Sequence, residues 1–346
     1  MKNKFTAVIV VLLLAVMVIP ITPDCSFAQT KEYKWRMPGF LPRGTSAEKV
    51  REQWVKDLEV ATGGRIKITY YGAGEILPPL QMWDAIFNGA IDIAFSYGAY
   101  WRGKSSLSMF SEGFPFTLYD VGEFNALLYE YGVEDIIRKA YAKRGVHLLR
   151  VLPCLNNTMI GNFPFKSFED FKKYKIRAGG PPAEMLKTMG IPTVYVPTPD
   201  IYGAFQRGVI DATVGGPISY FYDLGFHEIG KYILIPGTGT EADEVIMNLK
   251  TWDSLPNDLK MILYHSAADL GERLSASYFA RDAELMNVMQ AKHGVKAVVI
   301  QDSEKKKMSQ YTIKSIDNIV STEKDPDFIE ATKQLKKFLK ALGRID

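Results

Sequence analysis

The chain has 346 residues, of which 42 are basic and 39 acidic, with a formal net charge of +3. That length suits two domains better than one, and a hydrophobic content of 47% lets each bury a core. The near balance of charge, without a basic stripe, argues against a nucleic-acid-binding protein.

A secretory signal peptide is predicted over residues 1–28. Two lysines precede the apolar run 5–19, and small residues at Ser26 and Ala28 mark a cleavage site. The alternative is a membrane anchor, which the short apolar run and the prolines after it disfavour. Cleavage after Ala28 predicts a mature protein outside the inner membrane, in the periplasm.

Cysteine content predicts a fold without an internal disulfide bond. Cys25 would leave with the signal peptide, and Cys154 would remain alone. Cys25 also lacks the preceding residues of a lipoprotein signal. We therefore expect the hydrophobic core, and not a disulfide framework, to hold the mature chain together.

The first part of the mature chain alternates strands and helices. Apolar periodicity and glycine or proline punctuation predict a strand at 33–37, a helix at 46–62, a strand at 66–71, a helix at 78–88 and a strand at 91–96. An aromatic segment containing Tyr97 and Tyr100 follows the last of these strands. Because each tyrosine offers an apolar face and a polar tip, both are candidate ligand contacts in a cleft. Ordinary core packing is the alternative.

The middle of the chain is predicted to connect two lobes. A helix is expected over 121–142 and a strand over 146–152, which we expect to cross toward the second lobe. Asn157 and Met159 follow near the expected hinge and are candidate ligand contacts. A turn role is the alternative for Asn157, because lone asparagines favour turns.

Residues 174–217 organise the rest of the chain. They predict a βαβαβ unit with strands at 174–177, 193–196 and 209–214 and helices at 183–189 and 200–207. Arg177 ends the first strand, beside a Gly-Gly-Pro-Pro turn. Ligands bind off the carboxyl ends of such strands, and a guanidinium pairs well with a carboxylate. Arg177 is therefore a candidate carboxylate-binding residue, with a surface salt bridge as the alternative.

One short pattern occurs twice. Residues 85–92 and 204–211 each contain a helix end, a glycine and the dipeptide Ile-Asp, and a predicted strand precedes each copy. Two similar α/β units predict two related lobes with a cleft between them. The alternative is that any two such units share this junction.

The C-terminal part begins with an aromatic segment, 218–229, in which Tyr220 is another candidate ligand contact. Strands are predicted at 232–235, 245–249 and 295–300. A helical pattern opening at Trp252 and reaching about His293 would span roughly 55 Å at 1.5 Å per residue, enough to brace both lobes. Charged amphipathic helices are expected at 303–322 and 329–342.

These features together resemble the DctP-type periplasmic solute-binding proteins of TRAP (tripartite ATP-independent periplasmic) transporters. The matching segments follow the order of that family: Gly72–Glu75 with the unit 78–92, Tyr100–Lys104, Lys175–Arg177, Tyr202–Asp211, and Gly225–Glu228 with Lys231–Tyr232. The segments 100–104 and 225–228 are most similar to the branch that binds 2-oxo acids.

The resemblance implies an α/β fold of the two-lobed periplasmic-binding-protein type, with a ligand cleft between the lobes and a long helix bracing both. We expect lobe I to comprise 29–151 plus 237–256, lobe II 152–236 plus 295–346, and the bracing helix 257–294. The resemblance also implies that Arg177 clamps a ligand carboxylate and that Tyr100 lines the pocket. The implied partners are a small organic acid and the membrane subunits of the transporter. A monomer and a homodimer both remain open.

The chain departs from the 2-oxo acid branch at its metal-assisted site. Val214 and Gly215 occupy the positions of a Glu-Trp pair that helps to bind a metal ion, and Met159 replaces a hinge glutamine. We therefore predict no metal ion and no cofactor. Gly215 leaves space against the ligand, so the predicted ligand is an organic carboxylate, with room for one larger or more apolar than pyruvate.

Two other classes of function are alternatives, a secreted enzyme and a sensing protein. A secreted α/β enzyme is disfavoured because the chain has neither a G-x-S-x-G motif nor a metalloprotease histidine pair. Cys154 also lacks a nucleophile signature. The prediction is a protein without enzymatic activity. A ligand-sensing protein that feeds a signalling receptor remains the other alternative, because the sequence of the binding lobes does not separate transport from sensing.

Overall fold

The computed structural model describes residues 31–345, which form eleven strands and twelve α-helices. The strands are β1 Tyr33–Pro38, β2 Ile66–Tyr71, β3 Ile93–Ser96, β4 Val146–Asn157, β5 Met159–Gly161, β6 Ile176–Arg177, β7 Thr193–Val194, β8 Ala212–Val214, β9 Tyr232–Leu234, β10 Gly239–Asn248 and β11 Lys296–Val298. The helices are α1 Ser46–Ala61, α2 Met82–Phe87, α3 Ser108–Glu112, α4 Val121–Tyr129, α5 Val133–Ala142, α6 Gly180–Thr188, α7 Ile201–Gln206, α8 Ile218–Asp223, α9 Leu249–Asp253, α10 Asn257–His293, α11 Asp302–Thr322 and α12 Pro326–Ala341.

Two lobes form around separate sheets. In the first, β1 and β2 pair in parallel, and β10 lies between β3 and β4 as an antiparallel neighbour of both. The second contains a six-stranded sheet in the order β11-β9-β5-β8-β6-β7. Neighbouring residues such as Met159 and Ile160 enter two different apolar clusters, because successive side chains of a strand point to opposite faces. The two-lobed α/β prediction is confirmed.

The predicted βαβαβ unit forms the edge of the six-stranded sheet. Strand β6 pairs in parallel with both β7 and β8. Helices α6 and α7 connect them. This topology places the end of β6, and therefore Arg177, at the edge where the connecting loops converge.

Strands β4 and β10 connect the two lobes. They pair along almost their whole length, from Gly239 opposite Asn157 to Asn248 opposite Val146. A single residue separates the end of β4 from the start of β5, which belongs to the six-stranded sheet. The predicted crossing of this segment between lobes is therefore confirmed, and strand β10, expected only from 245, begins at Gly239.

The long helix α10 contacts the cores of both lobes. Leu263, Leu270 and Tyr278 of this helix are buried in the core of the first lobe, and Leu285 and Met289 lie in a core cluster of the second. The prediction of a long helix bracing both lobes is confirmed. Gly271 does not interrupt it, and a Cβ there would meet only Leu152 at ordinary contact distance.

The sequence pattern that occurs twice, at 85–92 and 204–211, forms the same local structure in both places. Gly89 and Gly208 follow helices α2 and α7 with φ of +71° and +67°, the left-handed conformation that ends a helix. The aspartate that follows in each copy accepts a hydrogen bond from a backbone N–H: Asp92 from Arg36 at 3.0 Å, and Asp211 from Lys175 at 2.9 Å. The same junction thus joins helix and sheet in both lobes.

Helix α12 lies in the core of the first lobe, although residues 295–346 were expected with the second. Phe328, Leu335 and Leu339 are buried there, and the Phe328 ring contacts that of Phe110 at 5.2 Å. We propose that α12 belongs with lobe I, and the other lobe boundaries remain predictions.

The expected helix over 121–142 is two helices, α4 and α5, because Gly132 adopts φ +69° between them.

The predicted signal peptide and Cys25 lie outside the described residues. Across residues 31–345, none of the helices combines the length and the hydropathy that crossing a lipid bilayer requires. Cys154 is buried as a free thiol.

Candidate functional site

A cavity of about 40 Å³ lies where the two lobes meet. Its walls come from the loop after β1, from β4 and β10, from the end of β6, from the loop before α8 and from the long helix. The lining residues are Phe40, Leu41, Tyr97, Leu155, Arg177, Thr198, Gly215, Gly216, Pro217, Tyr220, Glu241, Asp243 and Tyr278. A water molecule needs roughly 10–15 Å³, so in this closed arrangement a ligand of more than a few atoms enters only when the walls separate.

Arg177 is the buried cation of this cavity, with 6% of its surface exposed. Its Nε donates to the carbonyl of Val196 at 3.0 Å, and its Nη1 donates to the carbonyl of Val214 at 3.2 Å. The guanidinium carbon also lies 5.7 Å from the centre of the Tyr195 ring. Two of the five N–H donors of an arginine are thus used on the backbone, and within residues 31–345 no carboxylate forms an ion pair with it.

Gly215 and Gly216 let the chain pass close to this arginine. Both have positive φ, +119° and +106°, and a Cβ on Gly215 would lie 3.3 Å from Arg177 Nη1. A Cβ on Gly216 would lie 2.7 Å from the Tyr220 ring. Glycine is therefore required at both positions for backbone conformation and for space.

The candidate residues from the sequence fall into two groups. Arg177, Tyr97, Gly215 and Tyr220 line the cavity. Tyr100, Asn157 and Met159 do not line it, so in this closed arrangement none of these three borders the space predicted for the ligand. As ligand contacts, all seven remain predictions.

Tyr100, Asn157 and Met159 lie behind the wall. Tyr100 is buried against Phe40 and donates to Thr198 Oγ1 at 3.2 Å. Asn157 accepts from the Gly216 backbone N–H at 2.7 Å and donates to Glu241, which makes it a support for both sides of the cavity. Met159 is fully buried in a core cluster of the second lobe.

The acidic residues of the site were not among the candidates predicted from the sequence. Glu241 and Asp243 on β10 line the cavity, and Glu112 at the end of α3 lies beside it, bonded to Tyr97. All three are buried. The available signal was the sequence Glu-Ala-Asp-Glu at 241–244, followed directly by the apolar Val-Ile-Met, since buried charges are rare unless they have a structural or functional partner.

Asp243 is held by a buried ion-pair network. Arg51 of α1 donates to Asp243 and, at 2.6 Å, to Glu48. The guanidinium also lies 4.8 Å from the centre of the Phe40 ring. Arg51 therefore compensates two acids at once and connects α1 to the strand that forms the cavity wall.

Among the described residues, no cation forms an ion pair with Glu112 or Glu241. Tyr97 Oη donates to Glu112 Oε1 at 2.7 Å and lies 3.2 Å from Glu241 Oε2. Burial raises the pKa of Glu112 to about 8 and raises the pKa of Glu241 well above its ordinary value. Glu112 Oε2 has no hydrogen-bond partner within the described part of the chain. Near neutral pH these two carboxyl groups thus favour the protonated form.

Replacing Glu112 with glutamine is expected to weaken the pH dependence of folding stability. An acid whose pKa rises from 4.5 to about 8 on folding makes the folded state less stable as pH rises through that window, because the unfolded chain loses its proton first. The gain of Glu112→Gln over the parent should therefore grow from pH 5 to pH 8 and then level off. Urea unfolding at several pH values measures it, with the exposed Glu130→Gln as control. A difference that stays constant with pH would contradict the assignment.

Polar contacts hold the two lobes together around the cavity. Asp223 at the end of α8 accepts from the Ser46 backbone N–H at 2.9 Å and from Ser46 Oγ at 2.7 Å. Arg102, which follows Trp101 in the first lobe, forms an ion pair with Glu184 of α6 in the second. These contacts connect first-lobe to second-lobe elements, so they can form only when the lobes are close.

The residues at the cavity do not fit a metal site of the branch that the sequence resembles. No group of three His, Cys, Asp or Glu side chains within residues 31–345 could hold a metal ion. At the positions expected for the metal-binding pair, the Val214 carbonyl accepts from Arg177 and Gly215 offers only backbone.

Comparison with known proteins agrees with this architecture. The chain is 29% identical over 263 residues to a monocarboxylate 2-oxoacid-binding periplasmic protein of Nostoc sp., covering 73% of this chain and 70% of that one. It resembles the structure of a TRAP transporter solute-binding protein from Bordetella bronchiseptica, described with calcium and picolinate, at a TM-score of 0.82, 23% identity and coverage of 90% and 93%. A Pseudoalteromonas atlantica counterpart with sodium and pyruvate has a TM-score of 0.81, 21% identity and coverage of 90% and 95%.

A family model assigns most of the chain. The model of the bacterial extracellular solute-binding proteins of family 7, named DctP, matches residues 39–323. This range includes strands β2 to β11, the cavity and the long helix. The chain belongs to the bacterial extracellular solute-binding proteins of family 7.

Proposed function

We propose that this protein captures a small organic carboxylate in the periplasm and delivers it to the membrane subunits of a TRAP transporter. Family membership supports a solute-binding role without catalysis. The relatives named above are described with small carboxylates, among them picolinate and pyruvate. The membrane subunits are the proposed partners, and both monomer and homodimer are compatible with this role.

The observation that carries the proposal is the state of Arg177. Its guanidinium is buried at the cavity, and within residues 31–345 its hydrogen bonds go to two neutral carbonyls and to no carboxylate. A buried charge without a paired opposite charge is unfavourable. The three remaining N–H donors could bind a carboxylate in the fork geometry that arginine provides. A ligand anion would thus supply the partner that the described residues do not provide.

Closure links binding to delivery. The cavity wall includes Leu41 of the first lobe and Gly215 of the second, so the ligand completes its contacts only when the lobes meet. A ligand shifts the equilibrium toward the conformation that it binds better. Closure would also exclude water and strengthen the ion pair with Arg177. The closed surface, with contacts such as Ser46 to Asp223, is then what the membrane subunits would recognise.

The test is the chemical identity of the bound molecule. The full-length chain is expressed with its own leader, recovered from the periplasmic fraction, washed and denatured, and the released compounds are identified by mass spectrometry. We expect one organic acid at close to one molecule per chain, unchanged after days of incubation with the native protein. Recovery of a solute that has no acid group, or conversion of the acid to a product, would contradict the proposal.

A further inference from the structure

The cavity contains acidic groups in addition to the cation. Glu241 lines it together with Arg177, and Glu112 contacts the same tyrosine hydroxyl as Glu241. The two acids come from different elements, α3 and β10, and both are almost completely buried, at 1% and 4% exposure. This pairing of acids is unusual beside a site for an anion and calls for a compensating group.

The hydrogen bonds of these acids are incomplete. The hydroxyl of Tyr97 has one proton, so it cannot donate fully to both Glu112 and Glu241. Asn157 donates to Glu241 Oε1, which leaves Oε2 with a share of the tyrosine proton at 3.2 Å. Glu241 Oε2 therefore has capacity for a donor that comes from inside the cavity.

Two arginines near these acids already pair with other carboxylates. Arg51 pairs with Glu48 and Asp243, and Arg102 pairs with Glu184. The groups that act electrostatically on Glu241 are Glu112, Asp243 and Arg177. Once Arg177 holds a ligand carboxylate, the acids Glu112 and Glu241 face that anion without a cation of their own. Burial by itself favours the protonated form of both acids, and a positive charge on the ligand would favour their ionised form instead.

From these contacts we propose that the ligand is a zwitterion, an acid with a protonated amine, whose carboxylate pairs with Arg177 and whose N–H groups donate to Glu241. This inference rests on the proposed function, because it assumes a carboxylate at Arg177. An ammonium group would supply a hydrogen-bond donor to Glu241 Oε2 and a positive charge to balance the two acids. The apolar wall from Phe40, Leu41 and Leu155 would enclose the carbon skeleton.

A matched panel of small acids tests the inference by isothermal titration calorimetry. Each amine-bearing acid (alanine, proline, 4-aminobutyrate) is compared with analogues that lack the amine (pyruvate, lactate, butyrate), in EDTA and again with calcium or sodium. We expect at least one amine-bearing acid to bind at least tenfold more tightly than its analogue. Pyruvate or lactate binding as tightly as alanine, with or without metal, would overturn the inference but leave the carboxylate proposal standing.

Two further measurements separate the possible failures. Alaninamide keeps the amine but lacks the carboxylate, so its binding as tightly as alanine would contradict the proposed function itself. If neither the panel acids that bind nor the acid released on denaturation carries an amine, the inference would be overturned and the proposed function would stand.

The variant Glu241→Gln provides an independent check. Glutamine keeps an oxygen that can accept from Asn157 but loses the charge. We expect it to weaken binding of the amine-bearing acid at least tenfold and to leave binding of the amine-free analogue within about threefold. The exposed Glu130→Gln is the control. Equal weakening of both ligands would contradict a specific contact with the amine.

Discussion

Replacing Arg177 with methionine is expected to weaken binding of the co-purified acid by about 2–5 kcal/mol, the range for truncating one partner of a buried charge pair. That range corresponds to about 30-fold to about 4,000-fold in Kd. Methionine keeps an unbranched chain in the space between Val196 and Val214 but offers no donor. The carboxylate would then lie in a closed, water-poor cavity without its cation. Calorimetric titration of purified, ligand-free protein measures the loss.

The control for this variant is Arg207→Met, because Arg207 is exposed at the end of α7 in the same lobe. We expect its affinity to match the parent within about twofold. Circular dichroism and the melting temperature without ligand establish that both variants fold. If Arg177→Met binds the acid within threefold of the parent, Arg177 is not the carboxylate clamp.

Replacing Arg51 with methionine is expected to lower the free energy of unfolding by about 3–5 kcal/mol, the usual consequence of removing one partner from a buried ion pair. Arg51 is 0% exposed, and its removal leaves Glu48 and Asp243 buried without a cation. Burial already raises the pKa of each of these acids. Urea unfolding at pH 7 measures the change.

Two comparisons make the Arg51 result specific. Arg273→Met removes an exposed arginine that pairs with Asp57 at 2.7 Å, and exposed pairs contribute at most about 1 kcal/mol. The triple variant Arg51→Met, Glu48→Gln, Asp243→Asn should recover part of the loss, because it no longer buries unpaired charge. A loss from Arg51→Met as small as that from Arg273→Met would contradict the compensating role of Arg51.

Periodicity and punctuation predicted the features of the fold that depend on local sequence. The βαβαβ unit ending at Ala212–Val214 and the helix Asn257–His293 were both expected from apolar spacing and terminating glycines. The core against which an amphipathic helix packs could not be predicted in this way, because it depends on tertiary contacts. Helix α12 packs in the first lobe because Phe328 and Leu339 fit its core, and amphipathicity alone does not say which core a helix covers.

The cation of the site was predicted from the sequence, but its acids were not. Arg177 stood out because it ends a strand beside a glycine-rich turn. Neither Glu112 nor Glu241 falls in a strand or helix predicted from the sequence, so neither was recognised as buried. Both contact Tyr97, from which Glu112 is 15 and Glu241 is 144 residues away in the sequence. Such long-range placement follows from the pairing of β10 with β4, which no local pattern reports.

A crystal structure of the protein with its co-purified acid tests the central claim most directly. We predict closed lobes, with both carboxylate oxygens about 2.7–2.9 Å from N–H groups of Arg177, the distance of a charge-assisted hydrogen bond. The contradicting result is a ligand whose acid group lies elsewhere, while Arg177 contacts only the carbonyls of Val196 and Val214.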